Sequence, residues 1–336
     1  MSGRPRAALA MWTDAAEAVF DAGTTSALGE VCHLVSTSVL EDFTTDHAKA
    51  VLAEVDVLVT GWGCPRLTEA VLATAPHLRA VVHTGGSVRD HVTRECWDRG
   101  IEVSSAAAAN ALPVAEYTVA MILLTGKRVL ERARDHRATR RADDWLRTSK
   151  DIGNFGRTIG ILSASMVGRR VVELLRPFDF HILLHDPYVT EAEAAALGVD
   201  LVGLDELFAR SDLVSVHTPL LPETRDLVSR DLIAAMPPDA VLLNTARGAV
   251  VDQDALTEAL RNDRIRAVLD VTDPEVLPPE HPLWDSDNVL ITPHLAGSQG
   301  NEWRRLAEAA ITEVDRWANG AGFAHPVRRE LFGQLA

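Results

Sequence analysis

Short apolar runs alternate with amphipathic stretches along most of the chain. Val55–Thr60, Leu78–His83, Thr158–Leu162, His181–His185, Leu213–His217, Ala240–Asn244 and Ala267–Val271 are rich in β-branched residues and end in polar or turn residues, the pattern of buried strands. Between them, Met166–Leu175, Glu191–Ala196, Asp252–Arg261 and Gly300–Trp317 carry helical spacing. Such alternation predicts an α/β architecture with parallel sheets.

One predicted helix stands apart. Pro113 to about Ala133 is apolar on most faces, with Pro113 suited to a first turn. A helix of that character needs cover on all sides, which predicts a contribution to a homodimer interface. The strongest strand–helix–strand unit begins at Thr158, and the polar stretch Arg137–Phe155 before it reads as a loop. We therefore expect a nucleotide-binding domain over residues 107–296. A second domain would be built from 1–106 plus 297–336. Two crossings between domains would let both form the walls of a cleft.

Composition narrows the function classes. Lys and Arg number 33 against 48 Asp and Glu, a net charge of −15, which disfavours nucleic acid and anionic membranes as partners. The three cysteines, Cys32, Cys64 and Cys96, lack zinc-ligand or CxxC spacing, so no metal centre is expected. Reduced thiols, no recognisable leader and no long apolar run point to a cytoplasmic protein.

The chemistry begins after the Thr158 strand. The positions of Ser163, Ser165 and Gly168 are those of the three glycines of a dinucleotide fingerprint, and only the third is glycine. A serine hydroxyl can bond phosphate, but its Cβ crowds the backbone approach. Eighteen residues after Gly168 the next strand ends at Asp186, placed to accept from ribose hydroxyls and to repel a 2′-phosphate, which favours NAD over NADP.

Three later blocks, Asn244–Asp252 (NTARGAVVD), Leu269–Glu275 (LDVTDPE) and Ile291–Gly297 (ITPHLAG), resemble ordered signatures of the D-isomer-specific 2-hydroxyacid dehydrogenases. Val114–Glu116 and His217–Leu220 also fit. The resemblance covers roughly residues 55–320. It implies two Rossmann-like or flavodoxin-like domains with parallel sheets, the active site in the interdomain cleft, and NAD as cofactor.

It also implies roles. His294 would be the acid/base, because imidazole ordinarily titrates near working pH. Glu275, nineteen residues earlier, would orient it. Arg247 would bind the substrate carboxylate and the C2 oxygen with its fork of donors. The cofactor site would draw on Ser165, Met166, Val167 and Gly168 at the turn, then Asp186, His217, Thr218, Pro219 and Thr224. Thr245, Ala246, Arg247, Asp270, His294 and Gly297 would complete it. Gly85, Gly86 and Ser87 resemble the family's substrate loop, where backbone N–H groups could nest a carboxylate, with Trp62 and Trp303 shaping the pocket. Arg89 and Val276 stand where the family commonly has Asp and Pro. The implied activity is interconversion of a small 2-keto acid and its D-2-hydroxy acid. The alternative is an NAD(H)-sensing, corepressor-like binding protein on the same fold, which would not need the Arg247, Glu275 and His294 set.

Overall fold

The computed structural model describes residues 3–141, 149 and 152–334. They divide into two compact units, one of residues 1–111 with 298–336 and one of residues 112–297.

The first unit holds β1 (Arg6–Ala10), α1 (Thr13–Val19), α2 (Ala22–Val31), β2 (His33–Leu34), α3 (Asp46–Leu52), β3 (Val57–Thr60), α4 (Glu69–Ala73), β4 (Ala80–His83), α5 (Arg94–Asp98) and β5 (Glu102–Ser105). The sheet order is β2-β1-β3-β4-β5, with every pairing parallel. Strand faces alternate as the two-residue period demands. Val57 and Val59 enter one core layer with Met11, Leu28 and residues of the C-terminal helix, while Leu58 enters the other with Leu52, Leu67 and Leu72. All three cysteines are buried and unpaired.

The second unit runs through α6 (Ala107–Gly126), which begins in the first, α7 (Val129–Thr139), β6 (Thr158–Leu162), α8 (Met166–Leu175), β7 (His181–His185), α9 (Glu191–Leu197), β8 (Asp200–Leu201), α10 (Leu204–Arg210) and β9 (Leu213–Val216). There follow α11 (Arg230–Ala235), β10 (Val241–Asn244), α12 (Gln253–Arg261), β11 (Arg266–Leu269) and β12 (Val289–Ile291). The order β12-β11-β10-β9-β6-β7-β8, again all parallel, reverses direction between β6 and β9. Ile159, Ile161, Val241 and Leu243 face one core layer, and Leu162, Val214, Val216 and Leu242 face the other. The chain then returns to the first unit and forms α13 (Trp303–Ala318).

The long apolar helix departs from expectation. It starts six residues before Pro113, on an Ala-rich first turn of high helical propensity, so Pro113 lies inside it. It ends at Gly126 rather than near Ala133, because Arg128 adopts a left-handed conformation (φ 50°) and its N–H bonds Thr125 O, stopping the helix before α7 begins. Its length and mean hydropathy of 1.5 would suffice for a membrane span on composition alone. Ala115 and Ile122 nevertheless pack in the second unit's core against Ile159 and Ile161, while Glu116 and Ala120 are exposed, so its cover is one-sided. The loop expected over 137–155 is helical at Arg137–Thr139, and its stretches 142–148 and 150–151 lie outside the described residues.

Candidate active site

In a parallel sheet all strands end on one edge, and the loops beyond that edge are where ligands bind, most often where strand order reverses. In the second unit that place is the β6/β9 boundary, flanked by Ser163–Gly168 and His217–Pro219.

The turn after β6 is tight. An added Cβ on Gly168 would lie 2.2 Å from the Ser163 carbonyl oxygen, so only glycine allows α8 to start this close to the strand. Ser163 takes φ 80°, a conformation natural to glycine, and its Oγ donates to Asp186 Oδ2 (3.2 Å). Ser165 caps α8, its Oγ accepting from Gly168 N–H (3.3 Å). Met166 is exposed and Val167 half-buried at the N-terminus of this ten-residue helix, where unpaired N–H groups suit a pyrophosphate. Asp186 accepts from Ala164 N–H (2.8 Å) on Oδ2 and from Tyr188 N–H (2.8 Å) on Oδ1. With about four acceptor positions on a carboxylate, three are used and one remains on Oδ1 for a ribose hydroxyl. The turn and the acid fit a dinucleotide.

His217 is buried, and burial pushes its imidazole down to about 3, so it is neutral; Ser215 Oγ lies 2.9 Å from its Nε2. Thr218 is buried beside it. Thr224 spends its hydroxyl inside its own loop, donating to Pro219 O (2.6 Å) and accepting from Leu221 N–H (2.8 Å). It shapes the segment that carries Pro219.

Arg247 follows β10 by three residues. Asn244, which sequence reasoning passed over, braces this turn: its Oδ1 accepts from Ala246 N–H (3.0 Å) and its Nδ2 donates to Arg247 O (2.9 Å). Thr245 shares a hydrogen bond with Thr118 on α6 (3.3 Å). Ala246 and Arg247 are half-buried, and Arg247 Nη1 donates to Ala246 O (2.6 Å).

Beyond β11 and β12 two loops meet. His294 Nδ1 lies 2.6 Å from Glu275 Oε1, with half of each side chain exposed (50% and 56%). A carboxylate only accepts, so Nδ1–H donates, which leaves Nε2 for proton exchange. Solvent screening keeps such a pair's contribution to stability below about 1 kcal/mol. Its effect is orientation.

Asp270, expected at the cofactor site, is built into the loop that follows β12. Its carboxylate is 1% exposed and gathers the 292–296 segment: Thr292 Oγ1 donates to Oδ1 (2.6 Å), Leu295 N–H to Oδ1 (2.9 Å) and Ala296 N–H to Oδ2 (2.9 Å). His294, at φ 51°, also donates its own N–H to Asp270 O (3.0 Å). Asp270 thus fixes the loop that carries His294 and leads to Gly297.

In the first unit, the loop after β4 places Gly85 in the interior and leaves Gly86 and Ser87 half-buried, with Ser87 Oγ accepting from Arg89 N–H (3.4 Å). Asn110, also unforeseen, aims its Nδ2 towards Gly86 while its Oδ1 accepts from Ser298 N–H (3.0 Å). Beneath this loop Thr60 Oγ1 sits 3.1 Å from both His83 Nδ1 and His91 Nε2. Burial pushes His91 down to about 4 and His83 well below the usual imidazole range. Trp62 is exposed after β3. Trp303 is half-buried against the unit's own core, its Nε1–H donating to Ser298 O (2.9 Å).

A family model described as "D-isomer specific 2-hydroxyacid dehydrogenase, NAD binding domain" matches residues 119–296. The chain is 32% identical over 288 residues to a D-3-phosphoglycerate dehydrogenase of Methanocaldococcus jannaschii, covering 85% of this chain and 51% of that protein. It thus spans about half the length of that relative. It is 35% identical over 255 residues to a glyoxylate reductase of Thermofilum pendens, covering 74% of each. Among solved structures, the TT0316 protein from Thermus thermophilus aligns at TM-score 0.74 and 30% identity, over 96% of this chain and 100% of that one. A phosphoglycerate oxidoreductase from Rhizobium etli aligns at TM-score 0.81 and 21% identity, over 97% and 99%, which speaks for the fold alone. The late sequence blocks, the two parallel sheets and these matches converge: the chain belongs to the D-isomer specific 2-hydroxyacid dehydrogenase family and carries that family's NAD binding domain.

Proposed function

We propose that the protein is an NAD(H)-dependent oxidoreductase that interconverts a small 2-keto acid and its D-2-hydroxy acid. One observation carries the reading: the Glu275–His294 pair, closed at 2.6 Å through Nδ1, on the loops that follow the two strands next in the sheet to β10, whose own following turn carries Arg247. Bound nicotinamide supplies or accepts the hydride at C2. His294 Nε2 gives a proton to the C2 oxygen in reduction and takes it in oxidation. Glu275 holds Nδ1–H and so fixes the ring. Arg247 offers donors to the carboxylate and to charge growing on the C2 oxygen. Gly86 and Ser87 would offer backbone N–H groups to the carboxylate. Asp270 is a positioning residue in this scheme, acting through the loop it holds.

We further propose a homodimer through α6, whose Ala120, Leu123 and Leu124 are not buried in the chain itself, and a cytoplasmic setting in keeping with three unpaired thiols. The test is loss of NADH absorbance with glyoxylate, pyruvate, hydroxypyruvate, phenylpyruvate and phosphonopyruvate in turn, with NADPH as control. Turnover with NADH supports the scheme. NADH binding without turnover of any acid would refute it and favour a sensor.

A further inference from the structure

Sheet order in the first unit places two exposed tryptophans side by side. The order β2-β1-β3-β4-β5 reverses direction between β1 and β3, the crevice where a sheet of this kind takes a ligand. Ala10, Thr60 and His83 are paired across β1, β3 and β4. Trp12, Trp62 and Gly85 each lie two residues beyond that register. Strand spacing of about 4.8 Å puts the three loops within one small-molecule length of each other.

The two tryptophan loops are joined and braced. Trp12 N–H donates to Trp62 O (2.8 Å). A Cβ on Gly63 would lie 2.3 Å from three atoms of the Trp12 ring, so the indole rests face-down on the bare glycine backbone, at a residue whose φ of 80° also favours glycine. Trp12 is nonetheless 60% exposed and Trp62 40% exposed. Large aromatic surface held in place at a ligand crevice is a recognition surface rather than core. The charge beside it has a definite sign. Thr13 N–H, next to Trp12, donates to Glu41, and bonds from Thr13 hold the Glu41 carboxyl below the usual range, so it is ionised.

We propose that Trp12 and Trp62 form the wall that takes the side chain of the substrate, and that they select 2-keto acids bearing an aryl or long apolar group over glyoxylate-sized and phosphorylated ones. The inference rests on the reaction proposed above. An acid held at Gly86 and Ser87 by its carboxylate would project its C3 substituent along the strand ends towards Trp62 and then Trp12. Indole faces cover an aryl ring, whereas the Glu41 charge repels a phosphate.

The test compares kcat/KM for phenylpyruvate, glyoxylate and phosphonopyruvate in the full chain and in Trp62→Ala and Trp12→Phe, with melting temperature as the folding control. Side-chain contacts of this size discriminate by roughly 10–200-fold. We expect phenylpyruvate to exceed glyoxylate by about that range, with Trp62→Ala erasing most of the preference while glyoxylate stays within about 3-fold. Preference for glyoxylate or phosphonopyruvate, or a Trp62→Ala loss equal for all acids, would overturn the wall and leave the reaction intact. No turnover of any acid would overturn the reaction. The wall is then judged by calorimetric binding of phenylpyruvate: binding weakened by Trp62→Ala supports it, and no binding overturns it.

Discussion

Replacing Asp270 by Asn changes one atom in a dry site, and its cost follows from the donors present. Oδ1 receives two donors, Thr292 Oγ1 and Leu295 N–H, so the amide oxygen of Asn would take that place. The new NH2 group would then face Ala296 N–H, donor against donor. One buried N–H left unpaired costs about 1–3 kcal/mol. The two surviving bonds lose their charge assistance, about 1 kcal/mol together. The sum, about 2–4 kcal/mol, corresponds to a fall of roughly 5–15 °C in melting temperature for a unit of this size. The strained end of the loop is the one that holds His294, and a displacement near 1 Å costs about 100-fold in rate. Scanning calorimetry and steady-state turnover of the Asn variant measure both. A melting temperature within about 2 °C of the parent, together with full turnover, would refute the claim that Asp270 positions the acid/base.

The remaining predictions use the same scheme. His294→Ala should lower kcat/KM by about 100- to 10,000-fold, and Glu275→Gln by less, with NADH affinity by fluorescence unchanged; near-parental turnover in His294→Ala would sink the mechanism. Ser163→Gly relieves a left-handed serine worth about 1 kcal/mol but loses the bond to Asp186, so denaturant midpoints should stay level or rise, and a clear fall would show that the hydroxyl matters more than the backbone. His83, His91 and His217 are neutral in the fold, with pKa values below the ordinary 6.5, the latter two at about 4 and about 3. Their contribution is fully present above pH ~6.5 and is lost as pH falls towards the folded values, about 2 kcal/mol each for His91 and His217 by pH ~5. Urea unfolding at pH 8 and pH 5 checks this, and equal stabilities would contradict it.

The legible parts of the molecule are those whose signal is local. β6 and β7 end where alternation and turn residues place them, and Met166–Leu175 needs only its Ser165 cap and amphipathic spacing. β1 escapes such reading because Arg-Ala-Ala-Leu-Ala has no β-branched residue; it is a strand because β2 and β3 pair with it on both sides and because small side chains fit two close-packed layers. Glu102–Ser105 and Val289–Ile291 are likewise fixed by pairing with a neighbour. The break at Arg128 rests on one residue's backbone sign, which periodicity does not carry. In the site, Glu275 and His294 can be matched from the order of motifs, and the structure brings them together. Trp12 cannot, because fifty residues separate it from Trp62 and only sheet order makes them neighbours.

The division of the chain has a consequence for its synthesis. Residues 112–297 form a contiguous unit, whereas the unit that begins the chain needs Ala307, Ala310, Val314 and Trp317 of α13 in its core layer and Glu313 against Ser104 and the 324–325 backbone. A chain emerging from the ribosome therefore makes its second sheet before it has the helix that packs on one face of the first. Domains that fold as they emerge usually complete in order from the N-terminus. Here the middle unit has all its sequence first, and the opening sheet waits for the last helix, with Val57, Val59 and Val82 uncovered on the α13 side in the interval.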